Sequence, residues 1–423
     1  MRFRSLPLAA AGLALAACQP AKTPTPAPTP AARPAAQNGT PTPGQPTPGQ
    51  PTPGQPTPGQ PPAGGLPAGL AAGLAGLGGG GADPAPRPYA TVITPRAKTK
   101  TGVFGVHQVG SRLYFELPKS EIGKDFVVTT VLAGTPAGIG INGTLGPDRV
   151  IRFERRDNRI LVRDINYNNV ATDSTLSTRL AMSLIEVYPI IAALNVEAYG
   201  KDSAAVVEVT RMFTGGIQEF TAGGRRATVD ASRSFIEKFA AFARNVNVTA
   251  TQTFTPIGGG GGLPAIPGLN AGGAQATTEA FTFSIVRLPD VPMMPRFNDA
   301  RVGFFGPNKT DFGSAEQRVL PRRYISRWRL ECSDQKVGNL CVPKKPITYY
   351  VDPATPDWLK PWIKAGIEEW QGAFEQAGFA KGIVAGVVPN DPDFSGEDAS
   401  VAMVRWLPSP VANAVGPSTV DPR

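Results

Sequence analysis

One histidine and three cysteines are all the imidazole and thiol that these 423 residues offer. A hydrolytic zinc centre takes three protein ligands, generally His or carboxylate, with a carboxylate base beside the bound water. His107 stands in the strand-like stretch FGVHQVGSRLYFELP, where it alternates with Val106. That pattern makes it a half-buried sheet histidine rather than a lone ligand. Cys332 and Cys341 lie close together in ECSDQKVGNLC with no further Cys or His nearby, which disfavours a metal site. The chain opens on MRFRSLPLAAAGLALAAC, with positive Arg2 and Arg4 ahead of an apolar run too short to span a bilayer. An export signal of this kind leads to an oxidising compartment, so a Cys332–Cys341 disulfide is expected. Asp391, Asp393 and Ser395 before Gly396 alternate as a calcium loop begins, but no Glu stands at its twelfth position. Glu368 and Glu369 are adjacent, hence on different helix faces, and form no acid/base pair. No Gly-rich turn opens a helix with Lys-Ser/Thr, so nucleotide binding is unsupported.

The elements that would position these residues follow from periodicity. Residues 18–96 are expected to be a tether: four tandem PTPGQ copies at 41–60 are extended polyproline, and GGLPAGLAAGLAGLGGGG is flexible coil. A small β-rich module is expected at 97–146, with a tight turn at Gly110-Ser111 and an apolar strand DFVVTTVLAG. Residues 147–335 read as a second, largely antiparallel β domain. Strands meet at Asp157-Asn158, SRSFIEKFAAFA has helical spacing, and GGGGGLPAIPGLNAGGAQ is a loop. Beyond Pro343 come a strand KKPITYYVD and a helix over PWIKAGIEEWQGAFEQAGF. Its Ile363, Ile367, Trp370, Phe374 and Ala377 form one packing stripe, with Pro361 in the first turn and Gly378 at the end. Strands GIVAGVV and SVAMVRWL and a terminal strand in AVGPSTVDPR complete the series. The fold class is therefore α+β, with antiparallel β modules first and the front half of an α/β domain at 340–423. The formal net charge of +9 is scattered in pairs such as Arg155-Arg156 and Arg322-Arg323, without the clustered, aromatic-interleaved pattern of a nucleic-acid binder. It is a solvated basic surface or one drawn to an anionic membrane or cell surface.

Leu15-Ala16-Ala17-Cys18 resembles the lipobox of bacterial lipoproteins. The resemblance implies cleavage after a signal peptide at 1–17, acylation of Cys18 and stable membrane anchoring by two or more chains. Gln19 implies the outer membrane of a Gram-negative cell, periplasmic or surface-facing.

KKPITYYVDPATP, WIKAGIEEWQGAFEQAGF, DPDFSGEDASVAMVRWLPSP and ANAVGPSTVDPR resemble a family of bacterial lipoproteins classed as zinc-dependent metallopeptidases. FGVHQVGSRLYFELP and IVRLPDVPMMPRFNDARVGFF are similar to that family's two uncharacterised amino-terminal modules. The resemblance implies a zincin-type, metzincin-like peptidase domain: a twisted sheet with an antiparallel edge strand above the substrate cleft, then a helix bearing His-Glu-x-x-His. The chain stops at Arg423 before such a helix, so no catalytic residue carries over and zinc is implied for a full-length member alone. Val415, Gly416, Pro417, Ser418, Thr419 and Val420 would be the edge strand that aligns a peptide or protein substrate. The function expected is the amino-terminal part of an outer-membrane-anchored zinc metallopeptidase-family lipoprotein. The alternative is a non-catalytic surface lipoprotein that binds a glycan, peptide or protein partner.

Overall fold

The computed structural model describes residues 85–136, 140–171, 175–221, 227–256, 276–313, 318–391, 394–407, 412, 414–416 and 418–423. All belong to the compact unit Gly79–Arg423. Cys18, the PTPGQ repeats, the Gly-rich loop and Asp393 lie outside the described residues.

Period-2 alternation governs most of the chain. After a short helix α1 (Tyr89–Val92) come β1 (Lys98–Thr101), β2 (Gly105–Val109), β3 (Arg112–Leu117), β4 (Asp125–Gly134), β5 (Arg149–Arg156) and β6 (Arg159–Ile165). The β2–β3 turn places Gly110 at φ +61°, and the β5–β6 turn places Asp157 at φ +53°. Glycine, and then Asp or Asn, occupy that left-handed region at least cost. The chain continues through β7 (Asn169–Val170), helix α2 (Leu176–Ile185), β8 (Ile190–Tyr199), β9 (Ala205–Glu208) and a single turn α3 (Thr210–Phe213). Then follow β10 (Ala227–Val229), β11 (Phe235–Ala241), β12 (Asn245–Pro256) and β13 (Thr277–Arg287).

These strands make one sheet of order β1-β2-β3-β9-β8-β6-β5-β4-β13-β12-β10, with β11 also on β12. Its two ends meet: the Val103 amide donates to the Phe242 carbonyl at 2.7 Å, where a Cβ on Gly102 would stand 2.3 Å from that oxygen. The sheet thus curls around an interior filled by Phe104, Phe115, Phe126, Phe153, Phe213, Phe220 and Phe283, all essentially inaccessible. Neighbouring rings contact at tilted or edge-on angles, Phe104 to Phe115 at 4.9 Å and Phe213 to Phe283 at 5.3 Å. Each such burial stabilises by roughly 1.5–3 kcal/mol. The buried Gln252 side chain donates to the Phe213 and Phe220 carbonyls, fastening α3 and its following turn to β12.

Two expectations are corrected here. Residues 85–96 are not tether: the Arg87 amide donates to the Glu197 carbonyl at 2.8 Å, and Val92 is buried on the outer face of β3, β8 and β9 with Ile93, Tyr114, Ala198 and Val206. SRSFIEKFAAFA is not helical but holds β11; a bulge between Ile236 and Lys238 lets both Ile236 and Phe239 face the core despite their three-residue spacing. The longer helix of the region is instead α2, capped by the Thr175 side chain accepting from the Thr178 amide.

The remaining elements are β14 (Asn308–Asp311), β15 (Leu320–Arg323), the hairpin β16 (Cys332–Val337) and β17 (Leu340–Pro343), β18 (Ile347–Val351), α4 (Lys360–Glu368), α5 (Gln371–Gln376), β19 (Ile383–Gly386) and β20 (Ala402–Val404). Cys332 and Cys341 are joined by a disulfide with Cα atoms 5.5 Å apart. β19, β18 and β20 form a parallel sheet in that order, with α4 and α5 in the crossover that parallel pairing requires. Pro361 stands in the first turn of α4, and Gly378 closes α5 at φ +94°. The expected single helix is divided at Glu369-Trp370, and its stripe is incomplete: Ile363, Ile367 and Phe374 are half-buried, whereas Trp370 and Ala377 are exposed. No strand forms in the terminal segment among its described residues. Pro417 and Pro422 supply no backbone N–H there, which works against a ladder.

Candidate functional site

The terminal segment, though not a strand, does reach a cleft. Where β4, β5 and β6 lie side by side, Val127, Val150 and Ile165 point away from the aromatic interior and form an outer apolar floor with Leu288. Val420 and Pro422 stand opposite, and the space between is about 410 Å³. Asp148, Arg149, Asp164, Tyr167 and the amides Asn166 and Asn168 give the walls their polarity.

Burial sets the electrostatics. The Asp148 carboxyl is pushed up by desolvation, opposed by a hydrogen bond from the Thr419 hydroxyl. Asp164 is likewise raised by desolvation even though Arg149 pairs with it. Tyr167 donates its hydroxyl to Asp125, whose other oxygen accepts from Arg152 Nε at 2.8 Å. Burial, then the Asp125 hydrogen bond and charge, push the Tyr167 phenol well above its ordinary range, keeping it a donor. Arg423 lies within electrostatic reach of Tyr167. Its Nη2 donates to the Pro289 carbonyl at 2.5 Å and to Asp421 Oδ2 at 2.7 Å. Two carboxyls raised by burial, a phenol held as a donor and side-chain amides suit hydrogen bonding to an extended chain.

The second titratable cluster surrounds His107, which is 4% exposed and therefore buried rather than half-buried. Its Nδ1 lies 2.9 Å from Thr99 Oγ1 and its Nε2 2.9 Å from Glu116 Oε2. Tyr89, carried by α1, donates its hydroxyl to the same Glu116 oxygen at 2.9 Å and sets its ring edge-on to the imidazole. The phenol is pushed up to about 12, first by burial and then by Glu116. A Cβ on Gly200 would come within 1.9 Å of Glu116 Oε1, so the backbone closes the remaining side. Both ring nitrogens are engaged.

The residues singled out in the sequence thus separate. Thr419 and Val420 are at the cleft, while Val415, Gly416 and Ser418 are exposed coil and Pro417 lies outside the described residues. Glu368 and Glu369 are exposed on α4 and its end. Ser395 Oγ accepts from the Glu397 amide at 3.1 Å. That loop is docked on the sheet: Asn245 and Asn247, both buried, donate to the Glu397 carbonyl at 3.1 and 2.8 Å, and Asn245 Oδ1 accepts from the Ala399 amide at 3.0 Å. Among the described residues no group of three or more His, Cys, Asp or Glu could hold a metal. With the histidine satisfied on both sides and Cys332 bonded to Cys341, the residues present do not fit the zinc that the family resemblance implies. Sequence reasoning missed Glu116 and Tyr89. The β2–β3 register held the signal, since pairing His107 with Tyr114 places Glu116 diagonally across on the same face.

Residues 143–333 match a family described as Domain of unknown function (DUF5117), and residues 86–135 match Domain of unknown function (DUF5118). These uncharacterised domains correspond to the two β-rich modules. Neither match reaches residues 340–423. No curated protein and no solved structure matches the chain.

Proposed function

We propose that this chain is the amino-terminal part of an outer-membrane-anchored lipoprotein of the zinc-dependent metallopeptidase family. In this reading its β modules and parallel sheet align a peptide substrate, Cys18 carries the acyl anchor, and zinc ligands and base come from outside these 423 residues. One juxtaposition supports it most. Thr419 and Val420, the end of the segment that the resemblance puts at the substrate-aligning edge, lie at the β-domain cleft, with Thr419 bonded to Asp148 and Arg423 beyond it to the Pro289 carbonyl. The strand-helix-strand-strand order of β18, α4, α5, β19 and β20 is the one expected from periodicity for the front half of an α/β domain, although the antiparallel edge strand that the resemblance implies does not form among the described residues. Reading the DNA beyond codon 423 in all frames is the test. A His-Glu-x-x-His codon run within a few dozen codons is expected, and an unrelated gene in that place overturns the proposal. In the full-length enzyme, Ser418→Pro or Thr419→Pro should impair turnover; unchanged turnover would refute the alignment role.

The alternative, a non-catalytic lipoprotein that binds a glycan, peptide or protein, is favoured by the cleft itself, whose groups suit binding better than bond cleavage. It expects a bound peptide to be recovered intact after long incubation with added zinc.

A further inference from the structure

Loop 291–305 departs from the rule that large apolar side chains are covered. Val291, Met294 and Phe305 are 72%, 82% and 90% exposed. The loop is nevertheless built, because it runs antiparallel along residues 323–329. The Asn298 amide donates to the Arg323 carbonyl, the Ile325 amide to the Arg296 carbonyl, and the Ser326 amide to the Phe305 carbonyl. Farther along, Arg327 Nη2 donates to the Met294 carbonyl and Arg329 Nη2 to the Val291 carbonyl, each at 2.8 Å. The guanidinium groups are therefore fastened to the backbone of the very residues whose side chains stand in solvent.

Positive charge is concentrated there. Arg327 is pushed down first by partial burial and then by the like charges of Arg296 and Arg329, which places the three together. The nearby carboxylates are committed elsewhere, Asp290 to Lys124 and Arg287 and Asp299 to Arg301. Guanidinium presents five donors, so the carbonyl bonds leave several for phosphate oxygens.

We infer that this face, formed by Val291, Met294 and Phe305 with Arg296, Arg327 and Arg329, docks on an anionic phospholipid surface. The arginines meet lipid phosphates while the three apolar side chains enter the boundary between headgroup and acyl chain. Charge alone would suit an acidic polysaccharide equally. Phe305 would give a sugar a stacking face but Val291 and Met294 would not, whereas all three gain by leaving water for the acyl boundary. The inference does not depend on peptidase activity.

The experiment uses the chain from residue 18 onward with Cys18→Ser, so that no acyl group contributes. It is sedimented with vesicles of phosphatidylcholine alone, or of phosphatidylcholine with one third phosphatidylglycerol. Binding to the anionic vesicles is expected, weakened by salt, and lowered on the order of a hundredfold by Arg296→Glu, Arg327→Glu and Arg329→Glu together. Met294→Ser with Phe305→Ser should lower the binding that persists at high salt. Lys98→Glu, Lys100→Glu and Lys119→Glu, an equal charge change at exposed positions elsewhere, should leave most of it intact. Circular dichroism and thermal midpoints establish that each variant is folded. Equal binding to both vesicles, no binding, an unaffected arginine variant, or retention on dextran sulfate without vesicle binding would each overturn the inference.

Discussion

Tyr89 and Asp148 are ionisable groups whose charged forms the fold disfavours, and each gives a measurable consequence. The Tyr89 phenol is pushed up to about 12 from an ordinary value near 10. A group raised in the folded state contributes stability that is complete below its unfolded value and disappears as pH climbs through the folded one. Tyr89→Phe keeps the ring beside His107 but removes the bond to Glu116. Urea unfolding at pH 7 should show a loss of about 1.5–3 kcal/mol, and the decline of stability between pH 10 and about 12 should flatten. Asp148 is also raised, so its carboxylate opposes folding at neutral pH. Asp148→Asn retains an oxygen for Thr419. Its thermal midpoint should exceed that of the unmodified protein at pH 7, with the gap closing as pH falls through the carboxylate range, as followed by scanning calorimetry. At this scale the sequence shows which side chains are chemically scarce but not which partners they meet. His107 is conspicuous as the one imidazole, whereas Asp148 and Thr419 are brought together across the chain by folding alone.

Among elements, those made by local alternation or by a turn residue were readable: β4, the turn at Gly110 and the turn at Asp157 sit where period and turn chemistry put them. Those shaped by a neighbour were not. The helical spacing of Ile236 and Phe239 is real, yet pairing with β12 absorbs it through one bulge, and no single-strand pattern announces a bulge. The terminal segment has a strand's composition without a strand's partner. The β16–β17 hairpin shows how such contacts hold elements together. The Cys341 amide donates to the Gly378 carbonyl, and the Ala380 amide returns a bond to the Cys341 carbonyl, so the disulfide hairpin supports the end of α5. Replacing Cys332 and Cys341 with Ser should lower stability by about 2–3 kcal/mol, the loop-entropy contribution of a short bridge. Reduction of the unmodified protein should reproduce most of that loss, as measured by urea unfolding with and without dithiothreitol.

For the whole molecule, the segments 86–135 and 143–333 are separate along the chain but share one sheet: β3 of the first pairs with β9 of the second, and β4 lies between β5 and β13. Neither could bury its phenylalanines alone. Phe115→Ala in β3 and Phe283→Ala in β13 should therefore each cost about 3–5 kcal/mol and shift the same calorimetric transition. Two transitions responding separately would show that the segments fold independently. Strand alternation revealed the β character of both segments but not their interleaving, because pairing order depends on contacts far apart in sequence. The meeting of the sheet's ends at Val103 and Phe242 has a consequence at high protein concentration. Open β ribbons recruit one another through unsatisfied amide and carbonyl rows. Where the ends of this sheet approach each other, neighbouring copies find less free backbone to zip onto than an open ribbon of the same length would offer.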